Sequence, residues 1–302
     1  MELYPTPSDY TQYLQSTLNS HQNHGAATAE FIPLSHALSS GVWFNNIALS
    51  DIDPSINPMP VRMNWCGSDN RTEYDQNLRD PVQHARLQQE GWIDNPIVYE
   101  LNREGWRSEG CREYDIPEPS LIVLGCSFTY GTGLHLHQTW GHKVSSQLGL
   151  TLVNLGMPGH SLDLNTAWLM MNQQRIAQPQ AVIICETPPT RISWLLGDIA
   201  LPNAYAHTLL RLAGAKGTVS NYDTSTPSWL IDNIKLNSAV NYYKNRCLVE
   251  QWAKLLGIKF LHFNSSGVSA KTLARDLAHY GEDWHSTIAG KVLEQLGQKE
   301  NT

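Results

Sequence analysis

Leu121-Ile122-Val123-Leu124-Gly125-Cys126-Ser127-Phe128-Thr129-Tyr130-Gly131 is the stretch on which the reading of this chain turns. Four consecutive apolar residues closed by a glycine predict a short strand buried on both faces, as in a parallel sheet. Ser127 follows in a turn toward a helix, which puts its hydroxyl at the edge of the sheet. Backbone N–H groups in such a turn can face a developing oxyanion. Taken alone, a Gly-Xaa-Ser turn is a weak signal. No Gly-Lys-Ser/Thr follows, so it is not a phosphate-binding loop, and the glycine spacing excludes a dinucleotide fingerprint.

Downstream, strands and helices alternate. A helix is predicted over 138–148, stopped by Gly149, then a strand over 152–155 that ends in the Gly156–Gly159 turn. Ser161 can cap a helix running to about Ile176, and Ala181-Val182-Ile183-Ile184-Cys185 reads as a third strand. A less regular stretch to about Ser228 precedes a helix near 237–256, a strand over 258–263 and a helix over 283–296. The alternation predicts an α/β fold: a three-layer α/β/α sandwich with a mainly parallel sheet. Ligands of such folds bind at the carboxyl ends of the strands.

Upstream, residues 1–115 are rich in Asn, Asp, Ser, Pro and Gly, with weak periodicity. A helix is expected from Ser8 to about Leu18, and another opened by Asp80-Pro81, a cap followed by proline at the first helical position. Pro96–Leu101 reads as a short strand. The expected division is an N-terminal extension, 1–115, packed on a domain over 116–302.

Composition narrows the function. Across 302 residues, 21 Lys and Arg against 28 Asp and Glu leave a formal charge of −7, against the concentrated basic face that nucleic acid requires. No apolar run approaches the roughly 18–20 residues of a membrane span. The start, MELYPTPSDYTQYLQ, lacks the basic and apolar regions of a secretory signal, so a cytoplasmic or virion-associated protein is expected. Five scattered cysteines without a CxxC pair read as free thiols rather than a zinc ribbon or redox motif.

Near the other end stands Asp276-Leu277-Ala278-His279-Tyr280-Gly281-Glu282-Asp283-Trp284-His285. A carboxylate three residues before a histidine can reach back to Nδ1–H and leave Nε2 as a base. Glu282 stands in the same relation to His285, so two pairs compete; spacing favours Asp276 and His279. His135, His137 and His142 invite a metal reading, but i,i+2 histidines on a helix point apart, and surface or capping roles are the expectation. No metal is expected.

Together the two motifs resemble the SGNH (GDSL-type) hydrolase superfamily, in particular bacterial and phage members. Residues 125–131 match its first block, with Cys126 in the aspartate position, and Asp276, His279, His285 and Ile288-Ala289 match the last. Asn154–Ser161 is similar to the second block, with Gly159 as the oxyanion glycine. The third block departs: Glu186-Thr187-Pro188-Pro189-Thr190-Arg191 stands where Gly-x-Asn-Asp is usual. Thr187, Thr190 or Arg191 is then the candidate third oxyanion donor. Tyr99–Ser108 is similar to a strand-and-turn found before the first block in some members.

The resemblance implies a serine esterase acting through an acyl-enzyme, with Ser127, Asp276 and His279 as triad and Ser127, Gly159 and Thr187 as oxyanion hole. Arg191 and His285 are candidates for contacting substrate. No cofactor is implied; the partner is a small-molecule or carbohydrate ester, an O-acetyl ester first. Cys126 and the missing asparagine keep a non-catalytic binding or virion protein open, and an acyltransferase uses the same machinery.

Overall fold

The computed structural model describes residues 32–33, 61–102, 105–187, 191–196, 199–205, 217–218, 221–222, 228–264 and 267–297. The helix expected over 8–18 lies outside them. In chain order the elements are β1 (Ile32–Pro33), β2 (Val61–Met63), α1 (Arg71–Arg79), α2 (Pro81–Gln89), β3 (Tyr99–Leu101), β4 (Ile116–Leu124), α3 (Ser127–Tyr130), α4 (Trp140–Leu148) and β5 (Thr151–Asn154). Then come α5 (Leu162–Asn172), β6 (Ile176–Cys185), β7 (Arg191–Leu196), β8 (Ile199–Tyr205), β9 (Gly217–Thr218), β10 (Asn221–Tyr222), α6 (Ser228–Leu256), β11 (Lys259–Phe263) and α7 (Glu282–Gln295).

The central sheet runs β11-β6-β4-β5, and every neighbouring pair is parallel. Successive side chains along a strand face opposite sides, and the core divides accordingly. Ile122, Leu124, Val182 and Ile184 pack with Leu164 and Trp168 of α5 and Val249 and Trp252 of α6. Leu121, Val123, Ala181 and Ile183 pack with Trp140 and Val144 of α4 and Trp284, Ile288 and Val292 of α7. Helices thus cover both faces, which makes three layers. From β4 the chain moves to β5 on one side, then crosses back to β6 on the other. The carboxyl end of β4 is therefore a topological switch point, where open α/β sheets bind ligands.

Two strands start earlier than their apolar runs. β4 begins at Ile116 and β6 at Ile176, so α5 stops at Asn172 instead of reaching 176. Pro117, Pro119 and Pro179 conceal these beginnings, because proline donates nothing to a ladder. The pairing accommodates them by shifting register between Ile116 and Pro119 and between Ser120 and Leu121. The stretch read as irregular holds the antiparallel pair β7–β8, with β1 added along β8.

The expected cap at Asp80 forms: its carboxylate accepts from the N–H of Val82 and Gln83, with Pro81 at the helix start. Residues upstream of β4 pack around the loops that follow it. Leu87, Trp92, Ile97, Tyr99 and Leu101 share a core cluster with Tyr130, Leu134 and Ala274.

Candidate active site

Ser127 opens α3 just beyond β4, with Cys126 at the cap position. Ser127 is only 7% exposed. Among the described residues, Ser127 Oγ has one recorded polar neighbour, Cys126 Sγ at 4.0 Å. That is a contact rather than a hydrogen bond of ordinary geometry. No protein group among the described residues accepts from the N–H of Ser127 or Gly159.

Buried arginine and tyrosine groups hold the turn carrying Ser127 from below. Arg107 donates to the carbonyls of Tyr130 (3.0 Å), Gly131 (2.7 Å) and Leu134 (2.7 Å), at and just beyond the end of α3. Its guanidinium lies 4.6 Å from the centre of the Tyr99 ring, which stacks on Tyr130. Asn102 Oδ1 accepts from Trp106 N–H and so fixes the turn that delivers Arg107. Tyr99 and Arg107, from the two ends of the Tyr99–Ser108 motif, thus clamp the Ser127 turn. Gly156 packs so closely under that turn that a Cβ there would come within 2.6 Å of Tyr130 N.

Asp276 and His279 sit in a narrow reversal. Gly281 N–H donates to Thr272 O and Ala274 N–H to His279 O, and the tip places Leu277 at φ 54°. A leucine in the left-handed region is disfavoured, and such strain recurs at functional loops. Asp276 Oδ1 accepts from the N–H of Ala278 (3.1 Å) and His279 (3.0 Å). Asp276 Oδ2 lies 2.6 Å from His279 Nδ1 and accepts the Ser68 hydroxyl at 2.8 Å. The carboxylate can only accept, so Nδ1 carries the proton and Nε2 is left as the base. Burial raises the Asp276 carboxyl, but the hydrogen bonds and charge of His279, with a smaller contribution from the Ser68 hydroxyl, outweigh it and hold it below its ordinary value.

This reversal is tied to the Ser127 turn. Arg275 N–H donates to Gly133 O at 2.9 Å. The Phe128 ring meets the His279 ring edge-on at 5.1 Å and also contacts Tyr280 and Trp284. Tyr280 packs its ring against both Phe128 and Trp284. Among the described residues no hydrogen bond joins Ser127 Oγ to His279.

Glu282 does not pair with His285; it binds Lys143 at 2.6 Å and Gln138 at 3.0 Å. His285 is 1% exposed, and its Nδ1 accepts Trp140 N–H at 3.1 Å, capping α4. Burial pushes its imidazole down to about 3. His285 is thus held inside the fold at the start of α4. Thr187 follows β6 fully buried, and its Oγ1 has no hydrogen-bond partner among the described residues. Thr190 and the Arg191 side chain lie outside the described residues.

The rings of His135 and His137 stack at 5.4 Å rather than diverging, because His135 precedes its short helix in extended backbone. No group of three potential ligands gathers there or elsewhere among the described residues. A cavity of about 270 Å³ opens at the amino end of β5, lined by Ser108, Arg112, His142 and Thr151. None of Ser127, Gly159, Asp276 or His279 lines it. No helix among the described residues is long and apolar enough to cross a membrane.

Sequence reading missed Ser68. It also missed the buried pair of Asp69 and Arg275, bonded at 2.9 and 2.7 Å. Both bring residues more than 200 positions apart into contact, and no local spacing signals that.

No family model and no curated protein matches the chain. Among solved structures it is similar to a lipolytic protein of the G-D-S-L family from Veillonella parvula, at 13% identity and TM-score 0.30, over 60% of this chain and 100% of that one. It is also similar to an acetyl xylan esterase from the rumen bacterium Butyrivibrio proteoclasticus, at 11% identity and TM-score 0.30, over 60% of this chain and 64% of that one. A carbohydrate esterase aligns at 10% identity and TM-score 0.31, over 68% of this chain and 69% of that one. At scores of this size the likeness says nothing of what this chain acts on.

Proposed function

We propose that the protein is a serine hydrolase of the SGNH type that cleaves an ester through an acyl-enzyme. The observation that carries this reading is the buried Asp276 bonded to His279 Nδ1, with the His279 ring packed on Phe128, the residue next to Ser127. Ser127 Oγ attacks the acyl carbonyl as His279 Nε2 takes its proton, and Asp276 steadies the imidazolium that forms. The tetrahedral oxyanion draws on the N–H groups of Ser127 and Gly159 and on the Thr187 hydroxyl. His279 returns the proton to the leaving alcohol. Water, activated by the same imidazole, then releases the acid and frees Ser127. The proposed substrate is an ester, with a carbohydrate O-acetyl ester first, on the strength of the motif resemblance.

The test is hydrolysis of p-nitrophenyl acetate. Wild type is expected to turn it over; Ser127→Ala and His279→Ala are expected to fall to background while melting temperatures stay close to wild type. Equal turnover by Ser127→Ala places the nucleophile elsewhere. A second reading, a binding protein that keeps the fold without the chemistry, is favoured by one observation: Ser127 Oγ faces Cys126 Sγ with no bond to His279. An inert wild type would support it.

A further inference from the structure

We propose that Ser68 is a positioning residue of this site, acting on His279 through Asp276. The inference rests on the hydrolase reading, which supplies the role of that pair. Ser68 Oγ donates to Asp276 Oδ2 at 2.8 Å, the same oxygen that His279 Nδ1 meets at 2.6 Å. The other oxygen, Oδ1, is taken by two backbone N–H groups of its own loop. Ser68 is therefore the one donor to this carboxylate, among the described residues, that comes from outside the reversal.

The turn that presents Ser68 is built for a fixed position. Cys66 and Asp69 exchange backbone hydrogen bonds, N–H to O at 2.8 Å and 3.2 Å. The next residue, Asp69, grips Arg275 with both oxygens and accepts the Tyr99 hydroxyl. Arg275 also donates to Asn64 O and lies 4.1 Å from the centre of the Trp65 ring. Ser68 and Asp69 are thus tied to Asp276 and Arg275 as two adjacent rungs. On its other side the turn abuts the second-block loop, where a Cβ on Gly67 would come within 3.2 Å of Pro158. One segment from the N-terminal part of the chain touches both the acid–histidine reversal and the loop bearing Gly159.

The physical role follows from the geometry. With two donors on Oδ2, the carboxylate is fixed against rotation and the imidazole inherits its orientation. Hydrogen bonds to ionised acceptors are the short, strong ones, so this hydroxyl restrains more than a neutral pair would. Without it, Oδ2 is held by His279 alone. The base then spends less time aligned with Ser127.

The test compares wild type, Ser68→Ala, Ser68→Thr and Ser127→Ala in three measurements: ester turnover, the rate of labelling by a fluorophosphonate, and the downfield proton resonance of His279 Nδ1–H. Ser68→Ala is expected to lower kcat and the labelling rate about tenfold, leave KM unchanged and displace or broaden the resonance. Ser68→Thr is expected to restore all three. Ser68→Cys keeps the side-chain volume and weakens the donor, and it replaces the alanine variant should that one fail to fold. Wild-type labelling, kcat and resonance in Ser68→Ala overturn the inference and leave the hydrolase reading intact. A wild type that neither labels nor turns over overturns the hydrolase reading, and the resonance alone then decides whether Ser68 orients His279.

Discussion

At the scale of single residues, two histidines of one motif have opposite duties. His279 donates from Nδ1 to Asp276, whereas His285 is buried and accepts the Trp140 N–H at Nδ1. The second has a consequence for stability. The His285 value is about 3 in the fold against 6.5 for the ordinary side chain. Below about 6.5 the unfolded chain takes up a proton that the native state refuses, so stability falls as pH falls through that window. Acidification from pH 7 to 5 is expected to cost about 2 kcal/mol from this group. His285→Asn keeps an acceptor for Trp140 N–H but cannot titrate, so its urea midpoint is expected to drop less over the same range. An equal drop would show that other groups govern the acid limb. Thr187 carries a second prediction. If its buried hydroxyl is the third oxyanion donor, Thr187→Val lowers kcat about 10²-fold with KM nearly constant. Unchanged kinetics would leave the two backbone donors alone in that role.

At the scale of elements, the loops after β4 and β5 are held by close backbone packing and one buried guanidinium. Arg107→Met removes donors to three carbonyls and is expected to cost about 3 kcal/mol, read as a shift of the denaturation midpoint. Gly156→Ala places a methyl within 2.6 Å of Tyr130 N and is expected to cost about 1–3 kcal/mol and to slow labelling of Ser127, because the displaced backbone belongs to the same turn as Ser127. What was legible in the sequence follows from these local rules. The run Leu121–Leu124, the Asp80-Pro81 cap and the acid-x-x-His spacing each depend on a few adjacent residues, and the structure contains those elements. The first residues of β4 and β6 were hidden by prolines that a register shift absorbs. The β7–β8 pair was missed because its stretch lacks the clean alternation that marks a half-buried strand.

At the scale of the molecule, the segment upstream of β4 contributes to the candidate site rather than merely covering it. Asp69 and Arg275 are both buried and bind each other across 206 positions of sequence. Removing one partner strands the other charge in the core, at about 3–5 kcal/mol. Asp69→Ala is therefore expected to lower the melting temperature and also to slow Ser127 labelling at temperatures where the variant is folded, since Arg275 adjoins Asp276. A stability loss with no change in labelling would confine that pair to packing. Such contacts were illegible in the sequence because the turn over 66–69 carries no motif; its meaning lies in what it meets. In the proposed mechanism Ser127 is a nucleophile activated by His279. Reaction with a fluorophosphonate, followed by mass spectrometry of the peptides, decides whether it is. The expected result is a single adduct on Ser127 that is absent after heat denaturation and in His279→Ala. An unlabelled native protein, or an adduct on another residue, would contradict it.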